Sequence, residues 1–293
     1  MPEVDPVALV APTPLTLGGR SFTAANPAVM GIVNRTPDSF YASARYDDLA
    51  LAVEAVDRLV VDGADIVDVG GVRAGQQGEW VDAAAEVERV LPLLEAIRAR
   101  HPELLLSLDT WRSEVAHACA HVRIDLVNDT WQGADPGLVA VAAELGAGYV
   151  VSHTGGAAPR TDPDGVRYGP PGPDGTRRDA DDDVIESVLT TLREGAARAL
   201  DAGIARQSVL IDPTLDFGKT TRHSLLVLRS TAQLAGLGFP LLQALSRKDF
   251  VGETLDLLVD DRLEGTLAAT AVAGWLGTVC FRAHDVRATR RVV

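Results

Sequence analysis

Eight short runs of Val, Ile and Leu alternate with longer segments of helical periodicity from residue 28 to the C-terminal end of the sequence. The runs are Ala28–Val33, Asp65–Val69, Leu104–Leu108, Ile124–Val127, Tyr149–Val151, Ser208–Ile211, Pro240–Gln243 and Thr278–Phe281. They are nearly continuous in apolar residues, as expected of parallel strands covered on both faces. Helical periodicity falls over Leu49–Val61, Asp82–Arg100, Ser113–Ala120, Pro136–Leu145, Asp183–Ala202, Ser224–Leu237 and Arg262–Leu276. Gly63, Gly146 and Gly203 stand just past such segments, where a left-handed cap needs glycine. Strands alternating with helices leave an open doubly wound sheet or a closed barrel. Eight strands in 293 residues favour the barrel, because (β/α)₈ TIM barrels run to about 250 residues as one domain.

Two regions depart from the alternation. Residues 1–27 scatter prolines around a candidate hairpin at Gly18-Gly19, placed to close the bottom of a barrel formed by residues 28–293. Residues 154–183 carry a Gly/Pro/Asp/Arg tract without apolar periodicity, read as a loop insertion after the fifth strand.

The residues just past each strand give the first sign of function. The eight runs lead into Asn34, Gly70-Gly71-Val72-Arg73, Asp109-Thr110, Asn128-Asp129, Ser152-His153, Asp212-Pro213, Ser246-Arg247-Lys248 and Arg282-Ala283-His284-Asp285. A single Asp after a strand is often only a helix cap. Polar groups at all eight ends instead point to an active site at the C-terminal face of the barrel. Asp109, Asn128 and Asp212 offer acceptors and donors suited to a guanidine-like edge of a heteroaromatic ring. Lys248, Arg282 and His284 gather near strands seven and eight, where barrels commonly bind phosphate. His153 is as readily structural as functional, and Asp181-Asp182-Asp183 reads as a solvated helix start.

Charge narrows the partners. With 41 acidic and 27 basic residues, a net −14, the chain is a poor match for nucleic acid or an anionic membrane. No stretch approaches the ~20 apolar residues of a membrane span. Cys119 and Cys280 lie in apolar stretches without metal or disulfide spacing, and no basic leader is seen. A cytoplasmic location is expected.

Seven collinear motifs resemble the dihydropteroate synthase family between about residue 28 and residue 287. They are Asn34…Thr36-Pro37-Asp38-Ser39-Phe40, Asp68-Val69-Gly70-Gly71, Ser107-Leu108-Asp109-Thr110, Asn128-Asp129, Asp212-Pro213…Phe217-Gly218-Lys219, Ser246-Arg247-Lys248 and Arg282-Ala283-His284-Asp285-Val286. The resemblance implies joining of a dihydropterin carrying a CH₂-pyrophosphate to the amine of p-aminobenzoate, with loss of pyrophosphate. It implies that Asp109, Asn128, Asp212 and Lys248 hold the pterin, and that Phe40 and Ser246 lie beside p-aminobenzoate. It further implies that Asn34, Arg282 and His284 hold the pyrophosphate, and that Lys248 shares in the catalytic group. Mg²⁺, with Asn34 as its protein ligand, would balance the leaving charge. A homodimer is implied as well, and the apolar Leu267–Leu276 segment permits it.

The chain also departs from that family. Its second loop usually reads Gly-Gly-Glu-Ser-Thr-Arg-Pro-Gly, but here it is Gly70-Gly71-Val72-Arg73-Ala74-Gly75-Gln76-Gln77. The in-register Thr, Arg and Pro are absent, leaving Arg73 or Arg35 as substitutes. Two family glycines are replaced by Asp216 and Ala244, and both replacements are expected to crowd the pterin. Three functions are compatible with these residues. The first is a working synthase. The second is a divergent paralogue with weak or no synthase activity. The third is another pterin-binding barrel, such as the folate-binding domain of corrinoid methyltransferases.

Overall fold

The computed structural model describes residues 11–35, 48–73, 80–161, 166–169 and 181–293. A two-stranded antiparallel hairpin, β1 (Leu15–Leu17) and β2 (Arg20–Phe22), comes first and turns at Gly18 and Gly19. Eight parallel strands come next: β3 (Ala28–Asn34), β4 (Ile66–Gly70), β5 (Leu105–Asp109), β6 (Leu126–Asn128), β7 (Gly148–Ser152), β8 (Val209–Asp212), β9 (Leu242–Ala244) and β10 (Cys280–Ala283). They are ordered β8-β7-β6-β5-β4-β3-β10-β9. The ladder closes where Ile211 bridges Leu241 and its amide donates to Pro240 O at 2.9 Å. The architecture is therefore the expected (β/α)₈ barrel.

Helices α1 (Leu49–Val61), α2 (Ala83–Arg100), α3 (Ser113–Ala118), α4 (Leu138–Glu144) and α5 (Asp181–Asp201) alternate with the strands through β8. Past β8 come α6 (Thr221–Arg229) and α7 (Thr231–Ala235), then α8 (Asp249–Leu255) and α9 (Leu263–Trp275), and finally α10 (Val286–Arg290). The single helix expected over Ser224–Leu237 is two helices. Ser230 Oγ and Thr231 Oγ1 donate to the carbonyls of Leu226 and Leu228, and the helix breaks at that pair. The segments α8 and α10 carry no periodicity long enough to announce them.

Two cores result from the strand pleat. Alternate residues of each strand face the helices and pack with Leu93, Leu94 and Ile97 of α2 and the equivalent residues of its neighbours. The others fill the barrel interior with one apolar layer: Met30, Ile66, Leu105, Leu126, Val150, Leu210, Leu242 and Cys280. Leu15, Leu17 and Phe22 of the hairpin pack against this layer from below. Asp65 ties the hairpin and C-terminal helix to the same end, accepting from Val29 N, Arg20 and Arg290. Two residues further along, six of the eight strands place a polar residue in the interior, Ile32 and Ala244 being the exceptions, and that change creates the site.

Candidate active site

The polar layer contains Asp68, Ser107, Asn128, Asp212 and Arg282, with Asp109 and Asn34 one step nearer the mouth. Asp68 is fully buried and is the hub. Its Oδ1 accepts from Ser107 Oγ at 2.6 Å. Its Oδ2 accepts from Arg282 Nε at 2.6 Å and from Asn128 Nδ2 at 3.1 Å. Arg282 spreads its fork, and Nη2 donates to Asp109 Oδ2 at 2.8 Å. One guanidinium thus holds two carboxylates, which compensates their burial.

Asp68 also decides how Asn128 faces. A carboxylate only accepts, so the amide nitrogen of Asn128 must turn toward it. The amide oxygen is left buried without a hydrogen-bond partner among the described residues. A buried acceptor of this kind carries a desolvation cost that a ligand N–H would relieve.

The electrostatics vary across the pocket. Burial, reinforced by the charge of Asp68, raises Asp109 to about 7, and Arg282 opposes the shift. Asp212 is raised by burial against the pull of Lys248, and its Oδ1 accepts from Thr214 N at 2.7 Å. Lys248 is lowered by burial, while Asp216 and Asp212 pull the other way. Its ammonium donates to Leu215 O and lies 4.9 Å from the centre of the Phe217 ring. Phe217 packs edge-on against Trp131, and Trp131 against Trp111, so an aromatic wall runs beside the acceptors. Burial and the neighbouring Arg282 lower His284 to about 4, leaving a neutral imidazole near pH 7. Its backbone N donates to Ser246 Oγ at 3.2 Å, and Nδ1 lies 3.2 Å from the same oxygen.

The structure brings together Asp109, Asn128 and Arg282 through Asp68, with Asp212 and Lys248 within electrostatic reach of Arg282. Asn34 flanks Asp109 across Gly70. A Cβ there would come within 3.3 Å of Asn34 Oδ1 and 3.5 Å of Asp109 Cβ, so the glycine lets these two side chains approach closely. Phe40 and Ala74–Gln77 lie outside the described residues. Arg247, in the Ser-Arg-Lys motif, is scaffold: it pairs with both oxygens of Asp285 and donates to Val259 O and Asp260 O. Arg35 donates through Nε to Arg89 O on α2 at 3.1 Å.

Asp216 differs from its expected role. It sits at φ +68°, a conformation suited to the glycine it replaces and tolerated by Asp. Its carboxylate accepts from Ser224 Oγ at 3.0 Å and from the amides of Asp249 and Phe250 at 2.7 and 3.3 Å. The side chain is engaged in capping α8. Ala244 does face the interior. Gln243 donates to Thr231 and Thr278 outside the strands, so its neighbour points inward, in register with Arg282.

Asp68 and Ser107 carry the site's geometry but drew no role from the sequence. The available signal was a carboxylate within a strand buried on both faces, where an unpaired charge is not tolerated. Lys219, nearly fully buried, donates to the carbonyls of His153, Thr214 and Phe217 and fixes the β8 loop. His153 is likewise internal: it bonds Ser187 Oγ at 3.0 Å and stacks on Tyr168, which donates to Gly218 O.

A single Mg²⁺ that arrives with phosphate oxygens fits the donor set, because Asn34 Oδ1 supplies one hard oxygen near the mouth. A resident ion does not: no group of three or more His, Cys, Asp or Glu among the described residues is arranged to hold one.

Comparison with known proteins places this geometry. The family model described as pterin binding enzyme matches residues 30–284. A Mycobacterium tuberculosis protein named inactive dihydropteroate synthase 2 is 51% identical over 278 residues, covering 95% of this chain and 84% of the relative. The dihydropteroate synthase of Escherichia coli is 34% identical over 271 residues, covering 92% and 91%. A Coxiella burnetii dihydropteroate synthase solved with pteroic acid superposes with a TM-score of 0.80 at 29% identity, covering 96% of both chains.

Proposed function

The chain belongs to the pterin-binding enzyme family, and from that premise we propose that it is a dihydropteroate synthase-like barrel that holds a pterin and has weak or no joining activity. The observation that carries this reading is the acceptor set of Asp109, Asp212 and the bare Asn128 Oδ1, which matches the N–H-rich edge of a 2-amino-4-oxopteridine. Lys248 supplies a donor for the ring's carbonyl side, and the Trp131–Phe217 wall supplies a stacking face.

If the joining reaction runs, the p-aminobenzoate amine forms a C–N bond to the pterin CH₂ as the C–O bond to pyrophosphate breaks, and the amine loses a proton to solvent. Arg282 and neutral His284 would donate to the departing oxygens, and Asn34 would hold Mg²⁺, which supplies charge neutralisation when bound. Ser246 lies beside His284, where it would border p-aminobenzoate. Phe40 is assigned to that side by resemblance. Against efficient chemistry stand the second loop without its arginine and the capture of Arg282 by two carboxylates. The identity of 51% to a relative named inactive, against 34% to one named synthase, favours the same side.

A cytoplasmic homodimer is the proposed setting. The acidic charge supports a cytoplasmic protein, and the outward Val272 and Trp275 of α9 support association. The test is twofold: pterin binding followed by quenching of Trp111 and Trp131, and dihydropteroate formation from the pterin pyrophosphate, p-aminobenzoate and Mg²⁺. Binding with little product is expected. Turnover matching that of the Escherichia coli synthase would establish a working enzyme instead.

A further inference from the structure

We propose that Tyr168 is a positioning residue for the aromatic wall, holding Phe217 where a pterin ring would stack on it. The inference rests on the pterin-site reading above and concerns residues outside the strand ends. Tyr168 belongs to the tract that follows β7, of which residues 154–161 and 166–169 are described.

Phe217 lies in the loop between β8 and α6, and the residue after it has little restraint of its own. Gly218 stands at φ +61°, in a region that glycine enters and leaves freely. A Cβ on Gly218 would meet Thr154 O at 2.1 Å, so the β8 loop runs backbone to backbone against the start of the tract. Two bonds take up the freedom around Phe217. Lys219 Nζ donates to the carbonyl of Phe217 at 3.0 Å and to that of His153 at 2.8 Å. The Tyr168 hydroxyl donates to the next carbonyl along, Gly218 O.

Tyr168 can serve as a fixed point because its ring is held on two sides. It stacks on His153, with centroids 5.8 Å apart and planes 26° apart, and it meets His223 edge-on at 5.2 Å. His153 is fully buried and bonded to Ser187 of α5, while His223 belongs to the capping box of α6. The phenol therefore takes its position from the two helices on either side of β8 and passes it to the loop that carries Phe217.

The other ring of the wall is tied to the same tract. Gln132 directly follows Trp131, and its Oε1 accepts from Thr154 N at 2.7 Å, Thr154 Oγ1 at 3.3 Å and Gly156 N at 3.2 Å. Between them a Cβ on Gly155 would come within 2.6 Å of Val166 Cγ1 and 2.7 Å of the Tyr168 hydroxyl, so the two parts of the tract lie against each other. One stretch of chain thus bonds the residue after Trp131 and the residue after Phe217. The two rings meet at 5.5 Å between these anchors, and Lys248 sits 4.9 Å from the second ring.

Titration of the full chain with 6-hydroxymethylpterin, read by calorimetry and by quenching of Trp111 and Trp131, tests the proposal when urea unfolding is measured in parallel. Tyr168→Phe keeps the ring and removes the hydroxyl. It is expected to weaken binding about three- to tenfold, the range of one hydrogen bond, and to lower the quenching at saturation. Gln132→Leu should weaken binding about threefold, and Gln132→Glu, which still accepts from the same groups, should recover most of the loss. Unchanged affinity in Tyr168→Phe, or equal losses in Gln132→Leu and Gln132→Glu, would overturn the proposal while leaving the pterin site intact. A lower urea midpoint with affinity and quenching unchanged would also overturn it, by making Tyr168 a residue of stability alone. A wild-type chain that binds no pterin would remove the pterin-site reading and this inference with it.

Discussion

Arg282 Nε lies 2.6 Å from Asp68 Oδ2, although 214 positions separate the two residues in the chain. The contact joins β10 to β4 across β3. In strand register Arg282 starts at the level of Met30, while Asp68 stands level with Ile32, so the arginine climbs along the barrel axis to meet its partner. In the proposed function, ring recognition and leaving-group chemistry would both draw on this ion pair.

Asp68→Asn should show that coupling. Its amide can no longer receive Arg282 as a charge, and it competes with Asn128 for acceptors. Pterin affinity should fall about 10- to 100-fold, equivalent to the ~1.5–3 kcal/mol of a charge-assisted bond. Fluorescence titration reads the effect, and unchanged affinity would remove Asp68 from the site.

The two lost family glycines should behave differently. Asp216→Gly is expected to change pterin affinity less than about threefold, since the carboxylate caps α8 rather than crowding the ring. Asp216→Ala keeps the left-handed strain and removes the caps, so stability should drop by about 2 kcal/mol in urea unfolding. Ala244→Gly clears space beside Arg282 and should tighten binding by up to about tenfold.

Restoring Thr-Arg-Pro at Ala74, Gly75 and Gln76 should raise the rate of dihydropteroate formation more than substrate affinity. A contact to the departing pyrophosphate strengthens in the transition state, and a charge-assisted bond of about 1.5–3 kcal/mol corresponds to roughly 10- to 100-fold in kcat. Steady-state kinetics separate the two quantities.

Two residues should shape stability against pH in opposite directions. Asp109, raised to about 7, keeps a proton in the folded state that the unfolded chain releases near its ordinary 3.8. Its contribution is complete at low pH and is lost as pH rises through about 7. Asp109→Asn should therefore flatten the fall of Tm between about pH 4 and pH 7. His284, lowered to about 4 from 6.5, binds its proton more readily when unfolded. The stability associated with its neutral form is present above 6.5 and lost as pH falls toward 4, so His284→Gln should flatten the acid limb. Thermal unfolding across pH measures both slopes.

The sequence showed where the strands lie because two-sided burial forces nearly continuous apolar runs. It placed most strand ends a residue early: Asn34, Gly70, Asp109, Asn128, Ser152, Asp212, Ala244 and Ala283 still belong to strands. Parallel ladder bonds depend on the backbone and continue through the first polar or small side chain. That Asp109, Asn128 and Arg282 gather at one end of the barrel was readable for the same reason, since the strand ends carried polar groups. The part played by Asp68 was not, because its contact with Arg282 exists only once β10 has paired alongside β3. Asp216 misled the sequence reading because a substitution's direction is set by local φ and by the free amides of α8, neither of which is visible in residue type.

The hairpin beneath the barrel sets an order of events during synthesis. Leu15, Leu17 and Phe22 are translated before any barrel strand, yet the layer they cover needs Leu210, Leu242 and Cys280 from the far end of the chain. Until β10 is made, these hairpin residues have no completed surface to rest on, and the nascent chain must carry them exposed. A segment built before the barrel strands is thus among the last to find its place, and vectorial synthesis makes the plug of this barrel its late-docking part.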